Sequence, residues 1–494
     1  MSAPPNHNFA ARLLDRLGKD SSLVEASSGN TFSASEISAQ VGGFATRFLS
    51  TGLCAGDRLI LSCGINPISA LAYLGAMYAG LVPVLLDERT HAASGHLVSA
   101  KVRAKAVWSA KPVRQDWALE RELPVLEGGC IPVDLASIES FSAGEDDLAA
   151  LMPTSGSTGI PRFVMVSHRN LIANTEAIIR SQRLESDEKA MLIMPISYCF
   201  GASMVHTHLY QGGSVVFDSR FMFPDKVLNA INDYGCTTFA GVPTVYNILL
   251  RRSNLRTMSF PALRRFLQAG GGLASESVQE MRTIVPGAEF FVMYGQTEAT
   301  ARISCLPPER LHDKLGSAGV PLDNLKLRIV NDQGTDVAKG EVGHVLISGP
   351  SVCGGYFDEP EPSQEKFAEG WLKTGDLGSL DGDGYLWIQG RTSDFIKIRG
   401  YRVGLADVES RIAAIHGVSE CAATGVFHPE AGEALAVFVV ADETDSNSDG
   451  APSLTERIRQ ALPAQWTCSS VKVVPELPRT ANGKIARAQL QTLA

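Results

Sequence analysis

The segment Pro153-Thr-Ser-Gly-Ser-Thr-Gly-Ile-Pro-Arg162 sets hydroxyls and glycines in alternation between two apolar runs, Leu148 to Met152 and Phe163 to Val166. Gly156 and Gly159 allow backbone N–H groups to converge on an anion, Thr154, Ser155, Ser157 and Thr158 add hydroxyl donors, and Arg162 adds charge. That chemistry suits a polyphosphate. No GxxxxGK followed by Ser or Thr is present, so this is not a Walker loop. The same residue types also build plain surface turns. A second segment, Tyr294-Gly-Gln-Thr-Glu298-Ala, follows the apolar run Phe290 to Met293. Residues just past a strand in an open α/β sheet face the ligand crevice. There Tyr294 could stack on a purine, Thr297 could reach a phosphate oxygen, and Glu298 could hold a Mg²⁺ that bridges phosphates. A capped helix start would also explain Thr297 and Glu298.

Three further places carry weaker signals. Gly270, Gly271 and Gly272 end an apolar run and permit close backbone approach to a flat ligand, or a bland turn. Trp371-Leu-Lys-Thr-Gly-Asp376 puts a carboxylate after a tight turn, where it could accept from ribose hydroxyls, and Arg391 could add a guanidinium to the same sugar or phosphate. Pro478-Arg-Thr-Ala-Asn-Gly-Lys484 reads as an exposed loop tip, where a lone lysine is ordinarily only solvated.

The elements that must position these residues follow from pattern. From about Phe9 to Leu148 amphipathic helical stretches alternate with short apolar strands, and the alternation continues toward Gly390, turning strand-rich from Lys326 to Ser348. This is α/β material. The turn-rich passage Gly390-Arg-Thr-Ser-Asp sets a boundary, giving a large N-terminal domain over 1–391 and a small C-terminal one over 392–494. Ala441 to Ser453 is acidic and polar and reads as an exposed loop. The uncharged run Ile68 to Leu86 is broken at Gly80-Leu-Val-Pro83, so it divides into a buried helix and a strand rather than a membrane span.

Composition narrows the function classes. With 494 residues, 45% apolar and 20% charged, the chain is ordinary for a soluble enzyme with a deep cleft. Lys+Arg 44 against Asp+Glu 53 leaves −9, which argues against nucleic acid as a partner. The nine cysteines are scattered and form no CxxC pair, and Met1-Ser-Ala-Pro-Pro-Asn-His lacks the features of a secretory signal. A cytoplasmic protein with reduced thiols and no membrane partner is expected.

In this order, the segments TSGSTG, YGQTEA, WLKTGD, GR…KIRGYRV and PRTANGK resemble the adenylate-forming (AMP-binding) superfamily. Its members include acyl-CoA synthetases, nonribosomal-peptide adenylation domains and luciferases, and the stand-alone acyl or aryl acid ligases are the best match. The resemblance runs from about Phe9 to Ala494. It implies a large domain of packed sheets and helices, a small mobile α/β lid, and two half-reactions: ATP and a carboxylic acid give acyl-AMP and pyrophosphate, then the acyl group passes to an acceptor. It further implies that Thr154 to Arg162 hold phosphates and that Glu298 is the Mg²⁺-associated glutamate. Tyr294 becomes the adenine-stacking aromatic, Asp376, Ile388 and Arg391 complete the nucleotide contacts, and Lys484 is the catalytic lysine on the lid. Lys397, Arg399, Gly400 and Tyr401 would form the loop that meets the acceptor after the lid rotates. The chain departs from the pattern at Arg162-Phe163, where Lys-Gly is usual, at Ser393, where a hinge Asp or Lys is common, and at Gln465-Trp-Thr-Cys468, which lacks a proline.

By the same resemblance, the acid would lie against Tyr198, Phe200, Gly201, Gly241, Val242, Pro243, Gln296, Thr300 and Ala301. Amino-acid-activating relatives hold the ammonium with an aspartate where this chain has Gly201, which favours an acyl or aryl acid over an α-amino acid. Tyr198 walls the pocket or is a packed core tyrosine. His206 and His208, two apart in a helix, do not share a face and are read as structural. The acceptor is expected to be the thiol of CoA or of phosphopantetheine on a separate carrier protein. An amine, or molecular oxygen, is the alternative, and a non-catalytic nucleotide sensor is a third reading.

Overall fold

A computed structural model describes residues 6–90, 92–111, 123–154, 161–392, 395–398, 401–428, 432–441, 453–463, 466, 468–479 and 485–494. The chain forms two compact units. One comprises Met1–Glu341, Leu346–Thr374 and Leu380–Trp387; the other comprises Val342–Val345, Gly375–Ser379 and Ile388–Ala494.

Two sheets organise the first unit. In one, the strands lie in the order Val125–Glu127, Ala106–Ser109, Arg58–Cys63, Val82–Asp87, Leu148–Thr154, Arg162–Ser167. All pairs but the last are parallel. In the other, the order is Val320–Pro321, Ser304–Leu306, Glu289–Tyr294, Arg265–Gln268, Thr238–Gly241, Lys189–Leu192, Ser214–Phe217, Ser22–Glu25, Thr31–Ser33. Its six inner strands, from Glu289–Tyr294 to Ser22–Glu25, are mutually parallel. Strands covered on both faces are shielded from water along their whole length. Accordingly, Thr238–Gly241, Ser214–Phe217 and Arg265–Gln268 are buried at every position.

Helices cover these sheets, and their ends are written in the sequence. The run Ile68 to Leu86 resolves, as its Gly-Pro break requires, into the helix Pro67–Tyr78 and the strand Val82–Asp87. No described helix is long and apolar enough to cross a membrane. Ser167 caps the helix His168–Gln182 through a reciprocal bond with Asn170. Asn170 also donates to the carbonyls of Pro350 and Val352 at 2.8 and 3.0 Å, tying this helix to the segment behind Glu298. The core beneath is aromatic in part: Trp108 is fully buried, packs edge-on to Phe44 at 5.6 Å, and donates from Nε1 to the Gly128 carbonyl at 3.0 Å.

The second unit has its own sheet, in the order Tyr401–Gly404, Phe395–Ile398, Gly432–Ala441, Val418–His428, with Cys468–Val473 pairing parallel to Gly432–Ala441. Its core gathers Ile398, Val408, Ile412, Leu435, Val437 and Ile458. Arg487 donates to Glu409 at 2.5 Å and to the Ala423 carbonyl at 2.7 Å, which holds the last helix, Arg487–Leu493, on this sheet. The expected loop at Ala441 to Ser453 lies almost wholly outside the described residues.

His206 and His208 both sit in the buried helix Cys199–Tyr210, with no metal-ligating group of three among the described residues. His206 stacks on Tyr73 at 5.7 Å and meets Phe9 edge-on at 4.9 Å, and burial holds its pKa down at about 3. An unfolded histidine titrates near 6.5. The folded state therefore binds fewer protons between those values, and stability falls as pH drops below about 6.5. Replacement of His206 by Phe should shrink the loss of unfolding free energy between pH 7 and pH 5 by about 2 kcal/mol, as read by urea denaturation at both pH values. An undiminished loss would show that this ring is not part of the acid sensitivity.

Candidate active site

Parallel strands all end on the same edge of their sheet. Along that edge, Lys189–Leu192 leads into Pro195 to Gly201, and Thr238–Gly241 leads into Val242 and Pro243. Arg265–Gln268 leads into Gly270 to Gly272, and Glu289–Tyr294 leads into Gln296 to Ala301. The register Gly241↔Gln268 and Gln268↔Val292 keeps these exits level. Four segments singled out from sequence thus meet at one crevice.

The Tyr294 to Ala301 segment is a tight return, not a helix start: Thr297–Ala299 makes a single 3₁₀ turn before the strand Ser304–Leu306. Gly295 makes the return feasible, since a Cβ there would stand 1.8 Å from the Ala301 carbonyl oxygen. Thr300 holds φ at +67°, costly for a β-branched residue, and is fixed by its hydroxyl, which donates to the Ser351 carbonyl at 2.7 Å. The Cys353 N–H donates to the Glu298 carbonyl at 3.0 Å.

Glu298 is aimed by a residue the sequence reading missed. The Tyr356 hydroxyl donates to Glu298 Oε1 at 2.6 Å, and burial, then the Glu298 charge, raise the phenol pKa so that it stays a donor. The Arg162 guanidinium lies over the same ring at 5.4 Å and pairs through Nε with Glu359 at 3.1 Å. Lys101 pairs with the other Glu359 oxygen at 2.5 Å. Tyr356 therefore connects the exit of the hydroxyl- and glycine-rich hairpin to Glu298. Nothing around Gly354-Gly-Tyr356 in the sequence marked it, because the contact depends on the Val164↔Tyr356 bridge between distant segments.

Thr154 and Arg162 face each other at the ends of the hairpin strands, while Ser155, Gly156, Ser157, Thr158 and Gly159 lie outside the described residues. Gly270, at φ +88°, backs onto Tyr198, whose hydroxyl would be 2.7 Å from a Cβ there; Gly272 faces open space. Tyr198 and Phe200 meet edge-on at 6.3 Å. Gly201 has a packing reason as well, its missing Cβ lying 2.3 Å from the Pro195 carbonyl. Gln296 keeps a buried Nε2 without a hydrogen-bond partner among the described residues. Cys199, Ser203, His206, Asn174, Thr300 and Ala301 line a small internal cavity behind the turn.

Other residues singled out from sequence belong to the second unit. Asp376 was expected after a tight turn; it lies instead within the strand Trp371–Leu380, which bends at Gly375, φ +80°. Gly390 and Arg391 likewise end the strand Leu386–Arg391, beside half-buried Ile388. Asp376 is buried and pairs with Arg391 Nε at 3.4 Å. Lys397 and Tyr401 fall on the paired strands Phe395–Ile398 and Tyr401–Gly404. Arg399, Gly400, Ser393 and Lys484 lie outside the described residues.

Comparison with known proteins fits this geometry. Residues 14–357 match the profile of the family described as AMP-binding enzyme, and residues 407–484 that of the AMP-binding enzyme C-terminal domain. A feruloyl-CoA synthase from Amycolatopsis sp is 31% identical over 477 residues, covering 94% of each chain. The crystal structure of ATP-bound MatB from Rhodopseudomonas palustris superposes with a TM-score of 0.87 at 27% identity, over 99% of each chain. The o-succinylbenzoate CoA synthetase (MenE) from Bacillus subtilis, in complex with ATP and magnesium ion, gives 0.85 at 26% identity over 98% of this chain and 99% of that one. The chain belongs to the AMP-binding enzymes. Within them it is an ATP-dependent ligase of the AMP-forming acid–thiol type, working through an acyl-AMP.

The close return at Gly295 gives a stability test. Gly295→Ala should lower the free energy of unfolding by about 1–3 kcal/mol or more, because the carbonyl it meets is backbone and cannot swing away. Gly272→Ala, in open space, should stay within about 0.5 kcal/mol of the parent. Equal losses in chemical denaturation would contradict this account of the turn.

Proposed function

We propose that this chain activates an acyl or aryl carboxylic acid as its adenylate and transfers the acyl group to CoA. The observation that carries the reading is the Tyr356 bridge, which links Arg162 at the hairpin exit to the carboxylate of Glu298. In this reading the hairpin loop from Thr154 to Arg162 holds the ATP phosphates. Glu298, with its carboxylate oriented by Tyr356, would hold Mg²⁺, an ion for which a single protein carboxylate suffices. Once bound, the magnesium ion would neutralise phosphate charge during attack. Thr297 reaches a phosphate oxygen, Tyr294 stacks on adenine, the glycine triplet lets the nucleotide approach the backbone, and Asp376, Ile388 and Arg391 take the ribose.

The acid lies against Tyr198, Phe200, Val242, Pro243, Thr300 and Ala301. Gly201 on the buried helix offers no carboxylate to an ammonium group, which supports an acid without an α-amine. Residues 392–494 act as a lid. Lys484 brings the acid carboxylate and the α-phosphate together by cancelling part of their repulsion, then withdraws as the loop with Lys397, Arg399, Gly400 and Tyr401 turns to the thiol. Support for CoA over a carrier thiol or an amine comes from the relatives, a feruloyl-CoA synthase and a CoA synthetase among them. The nine cysteines, which form no disulfide among the described residues, support a cytoplasmic setting.

Incubation of the protein with ATP, Mg²⁺ and a library of carboxylic acids, in turn with CoA, carrier proteins and amines, tests the reading by mass spectrometry. Acyl-CoA and AMP are expected; amides or carrier thioesters in place of acyl-CoA would refute the acceptor, and release of ADP would refute adenylation. Lys484→Ala should reduce acid-dependent ATP–pyrophosphate exchange by about 100-fold or more while ATP still binds. Tyr356→Phe removes one hydrogen bond to a charged group and should cost about 10- to 100-fold in kcat/KM for ATP, with a higher Mg²⁺ requirement. Wild-type Mg²⁺ dependence in that variant would separate Tyr356 from the positioning of Glu298.

A further inference from the structure

Arg302 stands in the otherwise apolar run that leaves the Thr297–Ala299 turn, and it is only 2% exposed. Its Nε has no hydrogen-bond partner, and no carboxylate pairs with it among the described residues. Among the described residues, the ionisable groups near enough to act on its charge are the Cys305 and Cys199 thiols and the Tyr198 phenol, none of them a carboxylate. Burial disfavours its charge, yet a guanidinium does not give up its proton in a protein. Among the described residues, its guanidinium rests on the face of Phe200, whose ring centre is 4.9 Å from the guanidinium carbon. A cation–π contact offsets only a fraction of what burying an unpaired charge costs. Chains keep such a charge where a ligand supplies the counter-charge.

The surroundings identify which ligand. Arg302 covers Phe200, Phe200 meets Tyr198, and the Tyr198 hydroxyl stands against Gly270, so the cation continues one wall of the crevice that receives the acid. We propose that Arg302 is the counter-ion for a second anionic group on the substrate: this enzyme ligates an acid that carries a further carboxylate besides the one it activates. The inference rests on the ligase reading and names its substrate class. The carboxylate that reacts is the poorer occupant, because a guanidinium bound to it would withdraw electron density from the attacking oxygen. That carboxylate also loses its own charge on becoming the acyl–phosphate anhydride, whose remaining charge sits on the phosphate, and this would leave Arg302 without an anion beside it. A distal carboxylate keeps its charge through both half-reactions. The sequence held a faint signal, an arginine among Ala299-Thr-Ala and Ile303-Ser-Cys-Leu, where charge is unexpected in a buried segment.

Pyrophosphate release tests this with dicarboxylic acids of graded length and aromatic diacids, each beside its monomethyl ester and the matching monoacid. In the wild-type protein kcat/KM for the best diacid should exceed that for its monoester by about 100-fold or more. Arg302→Met should collapse that ratio by about the same factor, and Arg302→Lys should restore part of it. The best diacid should raise Tm of the wild type and not of Arg302→Met, while ATP raises Tm in both and shows the variant folded; if Arg302→Met does not fold, the Arg302→Lys ratio decides. Equal use of diacids and monoesters by the wild type, or a preference that survives in the variants, would overturn the inference and leave Arg302 as a prop for Phe200, with the ligase intact. Absence of pyrophosphate release with every acid would remove the ligase reading and the inference with it.

Discussion

The polarity of the nine-stranded sheet is the constraint on which the site depends. Six parallel strands must deliver their C-terminal ends to one edge, and four neighbours among them deliver the segments after Leu192, Gly241, Gln268 and Tyr294 side by side. A parallel sheet needs helices on both faces, so the same constraint buries the strands and leaves only the edge for a ligand. The glycines at the exits follow from it. Loops that leave adjacent strands within a few ångströms of one another leave little room for side chains, as Val242 against Gly270 shows, and the Ala301 carbonyl over Gly295 imposes the same limit within one return.

On that edge the charges are arranged for a reaction between anions. Two unit negative charges 4 Å apart repel by about 4 kcal/mol at an effective dielectric near 20, and by more as the cleft dries. Around Glu298 the chain supplies a chain of contacts, Lys101 to Glu359, Glu359 to Arg162, Arg162 over Tyr356, and Tyr356 to Glu298, that fixes the carboxylate before any nucleotide arrives. Preorganisation of this kind needs no reorganisation at the moment of attack. Arg302 supplies the opposite sign in the same wall, where no carboxylate among the described residues meets it.

Much of this was legible in the residues. Alternation of apolar strands with amphipathic helices gave the α/β class, and the break at Gly80-Leu-Val-Pro83 gave true element ends. The hairpin around the Ser/Thr/Gly loop and the placement of Tyr294 at a strand end could be read because strand exits obey a general rule. Tyr356 could not, since its role arises from a bridge between residues far apart in the chain. Asp376 was placed after a turn because Thr-Gly-Asp is a turn sequence; the strand Trp371–Leu380 instead absorbs the glycine as a bend, tertiary pairing having overridden local preference. Arg302 was passed over because a single charge in an apolar run has no meaning until its burial and its lack of a partner are known.

The central chemical claim is that an oxygen of the substrate carboxylate attacks the α-phosphorus of ATP. An acid that the enzyme accepts, prepared with ¹⁸O in its carboxylate, tests this when it is converted to the CoA thioester and the products are weighed by mass spectrometry. One labelled oxygen should end in the phosphate group of AMP and none in pyrophosphate. Label found in pyrophosphate or inorganic phosphate, or AMP that carries no label while thioester accumulates, would contradict the account.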